Sequence, residues 1–218
     1  MSDAIHTLIP LLFSGLKLTV LIAVIGILCG FVIGSLSGYA LQSHSRPARS
    51  IAYFYIWIIR GTPIIVQALY IYYVIPSVTK LNLSSTAAGI LVITLNSGAF
   101  ISEIVRGALA NVDGGQREAG ASLGLTKFQV LTHIVIPPAF RCMVPALFNQ
   151  FIISLKDTAM LTIIVVNEMT QKAMAYSAMT FDYVRTYTAL ALFYLVLITL
   201  LMLFQKLVEK KIGGIRND

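Results

Sequence analysis

The sequence predicts an all-α membrane protein with five transmembrane helices, and three observations support this prediction. Of the 218 residues, 57% are hydrophobic and only 11% are charged, whereas charged residues make up about 25% of a typical soluble domain. The mean hydropathy is +0.84. The apolar residues also form long runs without charges, and a transmembrane helix needs roughly 20 of them. A chain of this length therefore has room for five spans with short connections, but not for a soluble enzyme domain.

Charged side chains delimit the spans, because a Lys, Arg or Asp at the centre of a membrane helix costs about 2.5 to 3.5 kcal/mol. The predicted spans are residues 16–41, 51–75, 87–105, 143–166 and 186–204. The second is interrupted by Arg60-Gly61-Thr62-Pro63, where the proline removes a backbone donor and predicts a kink or a broken helix. The fourth carries Lys156 and Asp157 near its middle. Because no repeat or linker divides the chain, we treat residues 1–218 as a single transmembrane domain.

Positive charges in the connections predict the orientation. If the N-terminus is outside, nine Lys and Arg residues lie in the inner segments and three in the outer ones. The inner residues are Arg46, Arg49, Arg106, Arg117, Lys127, Lys206, Lys210, Lys211 and Arg216, and the outer ones are Lys80, Lys172 and Arg185. This asymmetry predicts an outer N-terminus and a cytoplasmic C-terminus. The segment 107–137 is then cytoplasmic, and it is the longest hydrophilic connection.

The first span carries a stripe of glycines at strict four-residue spacing. They are Gly26, Gly30, Gly34 and Gly38. Residues four apart share one face of a helix, and glycines on that face let another backbone approach closely. The stripe therefore predicts a helix-packing surface rather than a contact with substrate.

The connection 107–137 is predicted to contain two short helices. The first, residues 116–123, is made mostly of small residues and stops at Gly124, which accepts a positive φ. The second starts at Thr126, whose spacing to Gln129 fits a capping box, and is expected to end at Pro137-Pro138. The first helix is so thin that its backbone is expected to dock into a groove on another protein.

This connection also contains a longer pattern with fixed internal spacing. Glu118-Ala119-Gly120, Gly124 and Ile134-Val135-Ile136-Pro137 match Glu-Ala-Ala, three residues, Gly, nine residues, Ile-x-Leu-Pro, with Gly for the second Ala and Ile for the Leu. The chain thus resembles the integral membrane permease subunits of bacterial ABC importers, and within them the polar amino acid uptake family. Other stretches typical of that family are Arg60-Gly61-Thr62-Pro63, Asn96-Ser97-Gly98-Ala99-Phe100 and Ser154-Leu155-Lys156-Asp157-Thr158.

The resemblance implies a type I ABC-importer-like permease in the bacterial cell (inner) membrane, with the loop coupled to an ATPase. The residues expected to form the coupling site are Glu118, Ala119, Gly120, Gly124, Ile134 and Pro137. The implied partners are an ABC ATPase dimer that binds ATP and Mg, a second permease subunit (identical or paralogous), and an extracytoplasmic amino-acid-binding protein. The substrate would be a polar amino acid and the surroundings a lipid bilayer; no nucleic acid is expected. The sequence contains no phosphate-loop motif, so the chain itself is not expected to be an enzyme.

Polar side chains inside the third and fourth spans predict a substrate pathway, because an idle ionisable group in a membrane is costly. The expected pathway residues are Asn96, Phe100, Glu103, Asn149, Gln150, Ser154, Lys156 and Asp157. A structural alternative is that Glu103 pairs with Arg106 or Arg60, while Lys156 and Asp157 hold neighbouring spans together. The sequence leaves both interpretations open.

Other assignments stay open at this point. Glu168 and Lys172, just outside the fourth span, are candidate contacts for an extracytoplasmic docking protein. An ion-coupled secondary transporter would use carboxylates such as Glu103 and Asp157, and a membrane-embedded enzyme would need a catalytic cluster near Lys156-Asp157-Thr158. We expect no metal site, because no His, Cys or acidic residues have metal-ligand spacing.

Overall fold

The computed structural model describes residues 2–212 and the side chains of residues 6–211; Arg216 of the charge count lies outside this part. The described chain is helical apart from short connections. In chain order its helices are α1 (Ser2–Leu41), α2 (Arg46–Gly61), α3 (Ile64–Thr79), α4 (Ser85–Ala110), α5 (Gly114–Ser122), α6 (Lys127–Ile164), α7 (Met169–Thr180) and α8 (Tyr183–Ile212). A π-helical turn lies within α3 at Tyr70–Val74 and within α6 at Val130–Val135, and α6 finishes in 3-10 turns at Thr158–Ile164.

Four of these helices, α1, α4, α6 and α8, are long and apolar enough to cross a membrane singly. Helices α2 and α3 meet at a bend of 107° and together form a fifth candidate. The span predicted at 51–75 is therefore broken into two helices, at the place where Arg60-Gly61-Thr62-Pro63 predicts a kink or a break. The break occurs because Thr62 and Pro63 are extended, with ψ of 143° and 142°, and Pro63 has no N–H to donate.

Helices α1 and α4 form the closest contact in the bundle. The glycines of α1 face α4 in register: Gly26 lies against Ile93, Gly30 against Ser97, Gly34 against Ile101 and Gly38 against Ser102. A Cβ atom on Gly34 would lie 2.7 Å from both the Gly98 carbonyl oxygen and the Ile101 Cβ. Because the pairs advance in the same direction along both helices, α1 and α4 run parallel.

The remaining helices are placed by apolar clusters at the two ends of this pair. At one end Val105 of α4 packs with Val135 of α6, and at the other Leu12 of α1 packs with Met169 of α7 and Leu190 of α8. Helix α6 therefore runs antiparallel to α4. Since Gln205 near the end of α8 donates to the Pro145 carbonyl of α6 at 3.4 Å, α8 returns along α6. The first turns of α1 and the last turns of α8 lie at opposite ends of the bundle.

The region after α4 differs from the prediction in its helix boundaries. The first short helix is Gly114–Ser122 rather than 116–123. The second does not end at Pro137-Pro138 but continues to Ile164, so the span predicted at 143–166 belongs to a helix that starts at Lys127. The π-helical turn directly before the prolines explains this, because a widened turn relieves the clash of a proline ring with the carbonyl four residues earlier.

Helix α7, Met169–Thr180, was not predicted at all. It is too short to span a membrane, and its composition is mixed, so neither length nor hydropathy distinguishes it from a connection. Its start fits closely against α1, since a Cβ on Gly15 would lie 2.6 Å from the Met169 Cα. Tertiary contact with α1 therefore accounts for this helix better than local sequence does.

The glycine contact leads to a first prediction. We expect Gly34→Ala to destabilise the protein by about 1–3 kcal/mol, because the new methyl group would meet a backbone carbonyl and a Cβ that cannot rotate away. The matched control is Gly107→Ala in α4, where a Cβ would meet nothing within 4 Å. Unfolding of the purified proteins in detergent with increasing SDS measures both. Equal stability of the two variants would contradict the prediction.

Candidate functional site: the hairpin after α4 and the polar side chains of α4 and α6

The hairpin formed by α5 and the first turns of α6 (residues 114–135) is closed by a defined helix-capping motif. Gly124 has φ of +79°. The Leu125 N–H donates to the Gly120 carbonyl at 3.2 Å and the Gly124 N–H to the Ala121 carbonyl at 3.0 Å, which is a Schellman motif. Thr126 then begins α6 with the expected capping box. The stop at Gly124 and the start at Thr126 are where the sequence placed them.

The hairpin is anchored to the bundle on its inner side. Gly120 is buried, and a Cβ on it would collide with the Ile134 side chain of α6. The Arg117 guanidinium donates to the Leu109 carbonyl at the end of α4. These contacts hold α5 against both α4 and α6, so the hairpin and the long helices form one continuous packed unit.

The six residues expected to couple to an ATPase separate into two groups. Glu118, Ala119 and Gly124 are exposed on the hairpin, and so is Pro137 further along α6. Gly120 and Ile134 instead contact each other inside it. Gly120 is thus part of the packing within this chain. It is not directly available to a partner.

Two exposed apolar residues at the tip of the hairpin were missed by the sequence reasoning. Leu123 is 82% exposed and Phe128 is 73% exposed, on either side of Gly124. Both side chains are therefore accessible on the outer surface of the hairpin. The available signal was an apolar residue directly before and shortly after a helix-stopping glycine.

On α4, Phe100 and Glu103 lie in one charged cluster with the end of α2. The Glu103 carboxylate is 2.6 Å from the Arg106 guanidinium and 3.6 Å from that of Arg60. The Arg60 guanidinium also lies 5.5 Å from the centre of the Phe100 ring, a cation–π contact. Both arginines that the structural alternative named for Glu103 therefore contact it.

Asn96, also expected in the pathway, is buried and makes a structural contact. Its amide donates to the Gln67 side-chain oxygen at 3.3 Å. The Gln67 amide in turn donates to the carbonyls of Ile59 and Thr62, at 2.7 and 2.9 Å. Gln67 thereby provides donors for carbonyls left free where α2 ends. Through its bond to Asn96, it also attaches the 107° bend between α2 and α3 to α4. The sequence reasoning did not identify this role of Gln67; a glutamine shortly after a helix-breaking proline was the available signal.

The polar residues of α6 lie on two surfaces. Gln150 and Ser154 are buried in the bundle and bond to each other at 3.3 Å. Asn149 and Lys156 are exposed on the outside of the chain, and Asp157 is half-buried between the two surfaces. Among the described residues no ion pair joins Lys156 or Asp157 to a neighbouring helix. The proposed role of this pair in holding spans together is therefore not seen within the chain.

Glu168 does not reach the surface, contrary to the expectation that it could meet a docking protein. It is fully buried, caps α7 by accepting from the Gln171 N–H at 2.7 Å, and accepts a hydrogen bond from the Tyr194 hydroxyl of α8 at 3.3 Å. Lys172 donates to the Ser14 hydroxyl of α1 at 2.6 Å. The helix-capping position explains why the carboxylate points inward.

Comparison with known proteins identifies the architecture. Residues 26–214 match the model of the family described as the binding-protein-dependent transport system inner membrane component. The chain belongs to this family. Its relatives include the glutamine transport system permease protein GlnP of Escherichia coli (strain K12), which is 39% identical over 210 residues covering 96% of both chains. The arginine transport system permease protein ArtQ of Bacillus subtilis (strain 168) is 31% identical over 96% of this chain and 95% of its own.

Solved structures agree with this assignment. The chain resembles a crystal structure of an amino acid ABC transporter with histidines, with a TM-score of 0.88 and 32% identity, covering 96% of this chain and 97% of the other. An inward-facing structure of the MetNI methionine ABC transporter has a TM-score of 0.78 at 20% identity, covering 94% and 97% of the two chains, and this shows a shared fold. The type I importer fold expected from the loop pattern is confirmed.

The bend between α2 and α3 generates the second prediction. We expect Gln67→Met to destabilise the protein by about 1–3 kcal/mol, because it leaves the Ile59 and Thr62 carbonyls without their donor. The same substitution at Gln171 on α7 is the control, since it leaves the bend untouched. SDS-induced unfolding in detergent measures both variants, and a Gln67→Met protein as stable as the control would refute the capping role.

Proposed function

We propose that this chain is the permease subunit of an ATP-driven importer of polar amino acids in the bacterial inner membrane. The observation that carries the proposal is the 39% identity to a glutamine permease across 96% of both chains, together with relatives named for arginine and cystine transport. Their substrates share an α-amino and an α-carboxylate group and differ in the side chain. The substrate class is therefore proposed as a polar amino acid, with glutamine as the first candidate to test.

The proposed topology has five crossings, with the N-terminus outside and the C-terminus in the cytoplasm. The parallel course of α1 and α4 supports it, because the α2–α3 segment must then return the chain to the side where α1 began. The bent pair would count as one crossing. The opposite placement of the first and last helical ends also fits an odd number of crossings, and the excess of basic residues near the hairpin end fits a cytoplasmic location for that end.

We further propose that the hairpin docks onto one subunit of an ABC ATPase dimer, which binds ATP and Mg and performs the hydrolysis. Glu118, Ala119 and Gly124 would touch the ATPase, with Leu123 and Phe128 as apolar anchors. Because Gly120 packs on Ile134 and Arg117 is bonded to the end of α4, a displacement of the hairpin would be passed directly to α4 and α6. Through this connection, closure of the ATPase dimer would change the side of the membrane to which the substrate route is open.

The substrate route would lie between this subunit and a second permease subunit, identical or paralogous. Asn149, Lys156 and Asp157 would face it, since they are not enclosed by their own chain. Phe100 and Glu103 would contribute through the cluster with Arg60 and Arg106. Behind these side chains, the buried residues Gln150, Ser154 and Asn96 would hold the helices that line the route in position. A soluble binding protein would deliver the amino acid at the outer end, near α7.

The orientation can be tested by cysteine labelling in a variant with Cys29 and Cys142 replaced by alanine. Leu123→Cys at the hairpin and Met179→Cys at the end of α7 are matched sites, 82% and 83% exposed. A membrane-impermeant thiol reagent applied to intact spheroplasts is expected to label position 179, and to label position 123 only after permeabilisation. The reverse pattern would overturn the proposed topology.

The coupling role can be tested at Gly124 in proteoliposomes that contain the permease, its ATPase and its binding protein. We expect Gly124→Trp to insert normally but to lower amino acid uptake per ATP hydrolysed by roughly tenfold, within the 1–3 kcal/mol typical of coupling between sites. The control is Gly124→Asn, because asparagine tolerates the positive φ without large bulk. Radiolabelled glutamine, arginine and cystine serve as substrates.

Two outcomes of that experiment would contradict different parts of the proposal, namely the coupling role and the substrate. Normal uptake by Gly124→Trp would remove the hairpin from the coupling mechanism. If the wild-type complex hydrolysed ATP but took up none of the three amino acids, glutamine, arginine and cystine would be excluded as its substrates.

A further inference from the structure

A cavity of about 560 Å³ lies on the bundle side of the hairpin, a volume within the range of small-molecule sites. One wall is formed by Tyr39 in the last turn of α1 and by Gln42, Ser43 and His44 in the connection that follows it. The facing wall is the hairpin, which contributes Arg117 from α5 and Lys127 from the first turn of α6. Phe128, which we assign to the ATPase surface as an apolar anchor, also lines it, whereas Glu118, Ala119 and Gly124 do not. The cavity therefore borders the surface assigned to the ATPase and shares one side chain with it.

The charge of this cavity is unbalanced. Arg117 and Lys127 are cationic, and none of the described residues that line the cavity carries a carboxylate. Elsewhere in the described chain Arg60 and Arg106 share Glu103, and Arg185 pairs with Asp182. Neither Arg117 nor Lys127 has such a partner among residues 6–211. Two cations on one wall, without a counter-charge among the described lining residues, favour the binding of an anion.

The Arg117 guanidinium has one donor with an acceptor within the chain and another without one. One terminal nitrogen donates to the Leu109 carbonyl, which fixes the direction of the guanidinium. The Nε donor is buried and has no acceptor among the described residues. A planar guanidinium held in place presents its remaining donors in a fixed array, which suits the oxygens of a phosphate group.

The rest of the lining indicates what accompanies the phosphate. The hydroxyls of Tyr39 and Ser43 lie on the α1 wall, while Leu109, Val130 and Leu131 supply an apolar part. A site that combines cations, hydroxyls and apolar side chains at the end of membrane helices has the composition of a lipid headgroup pocket. A freely soluble anion would not require the apolar part.

We propose that this cavity binds the phosphate of an anionic phospholipid from the cytoplasmic leaflet, with Arg117 and Lys127 as its main cationic ligands. The inference rests on the proposed orientation, which puts the hairpin end at that leaflet. A lipid held here would connect the end of α1 to the hairpin, so the lipid composition of the membrane would affect the position of the coupling segment. Nothing in the site is specific to the transported amino acid.

Native mass spectrometry of the full chain in a zwitterionic detergent tests the proposal. The probes are dioctanoyl phosphatidylglycerol, the zwitterionic dioctanoyl phosphatidylcholine, and free glycerol 3-phosphate. We expect phosphatidylglycerol to bind more tightly than phosphatidylcholine. Lys127→Gln should weaken its binding about fivefold and the double variant Arg117→Gln/Lys127→Gln about 25-fold, since each basic side chain near a membrane surface contributes about a fivefold factor.

The matched control is the double variant Lys206→Gln/Lys210→Gln in α8, which removes the same charge near the same end of the bundle outside the cavity. It should bind phosphatidylglycerol like the wild type. Because Arg117 also anchors the hairpin, Lys127→Gln alone keeps the test valid if the double variant misfolds. The readout does not involve uptake, so its failure is distinguishable from failure of the proposed transport function.

Several results would overturn the proposal. If Lys206→Gln/Lys210→Gln weakened phosphatidylglycerol binding as much as Arg117→Gln/Lys127→Gln, the lipid would be held by diffuse charge attraction rather than by a site. Equal affinity of the wild type for phosphatidylcholine would show that the site does not require an anion. Competition by glycerol 3-phosphate at the concentrations where the lipid binds would leave a phosphate site but exclude the lipid as its source. Loss of the bound lipid when the ATPase subunit is added would assign the cavity to the protein interface instead.

Discussion

The close parallel contact between α1 and α4 is the constraint on which the rest of the structure depends. In a bilayer two apolar helices gain little from leaving lipid, so their association depends on fit and on interhelical hydrogen bonds. The α1 glycines supply the fit, and the Ser97 hydroxyl adds a long bond of 3.4 Å to the Gly26 carbonyl. On a neighbouring side of α4 the Tyr55 hydroxyl donates to the Leu95 carbonyl at 2.7 Å. With α2 and α1 both fixed to it, α4 becomes the reference helix for the whole bundle.

This arrangement explains how a surface helix of nine residues can have a defined position. An isolated helix of that length is not stable in water, so α5 must be stabilised by its attachments. It receives them from α4 through Arg117 and from α6 through Gly120 and Ile134. The Schellman motif at Gly124 then fixes the angle between α5 and α6. The hairpin is thus held against both long helices by defined contacts, which the proposed coupling role would require.

Sequence reasoning succeeded where one local signal determined the structure, and failed where tertiary contact did. Charge-free runs and the loop pattern were enough to predict the helical class and the family. Gly124 and Thr126 were enough to predict the hairpin turn, because backbone φ and helix capping are local properties. The course of α6 through Pro137 depended on a π-helical turn with no clear sequence signature. Glu168 was misplaced because its spacing showed a position near a span end, but not that the residue caps a helix that packs against α1 and α8. Family membership decided between the importer and the alternatives that the residues alone had left open.

The two surfaces of α6 support the proposal that the substrate route lies between two permease subunits. A charged side chain that faces lipid near the middle of a membrane costs about 2.5 to 3.5 kcal/mol, yet Lys156 is exposed on this chain and Asn149 is exposed two turns earlier on the same side. Buried Gln150 and Ser154 bond to each other, so they do not offset that cost. Contact with water or with another protein, rather than with acyl chains, would avoid that cost. A second permease subunit placed over this face would provide both, because two such faces opposed to each other enclose a polar space that neither chain can form alone.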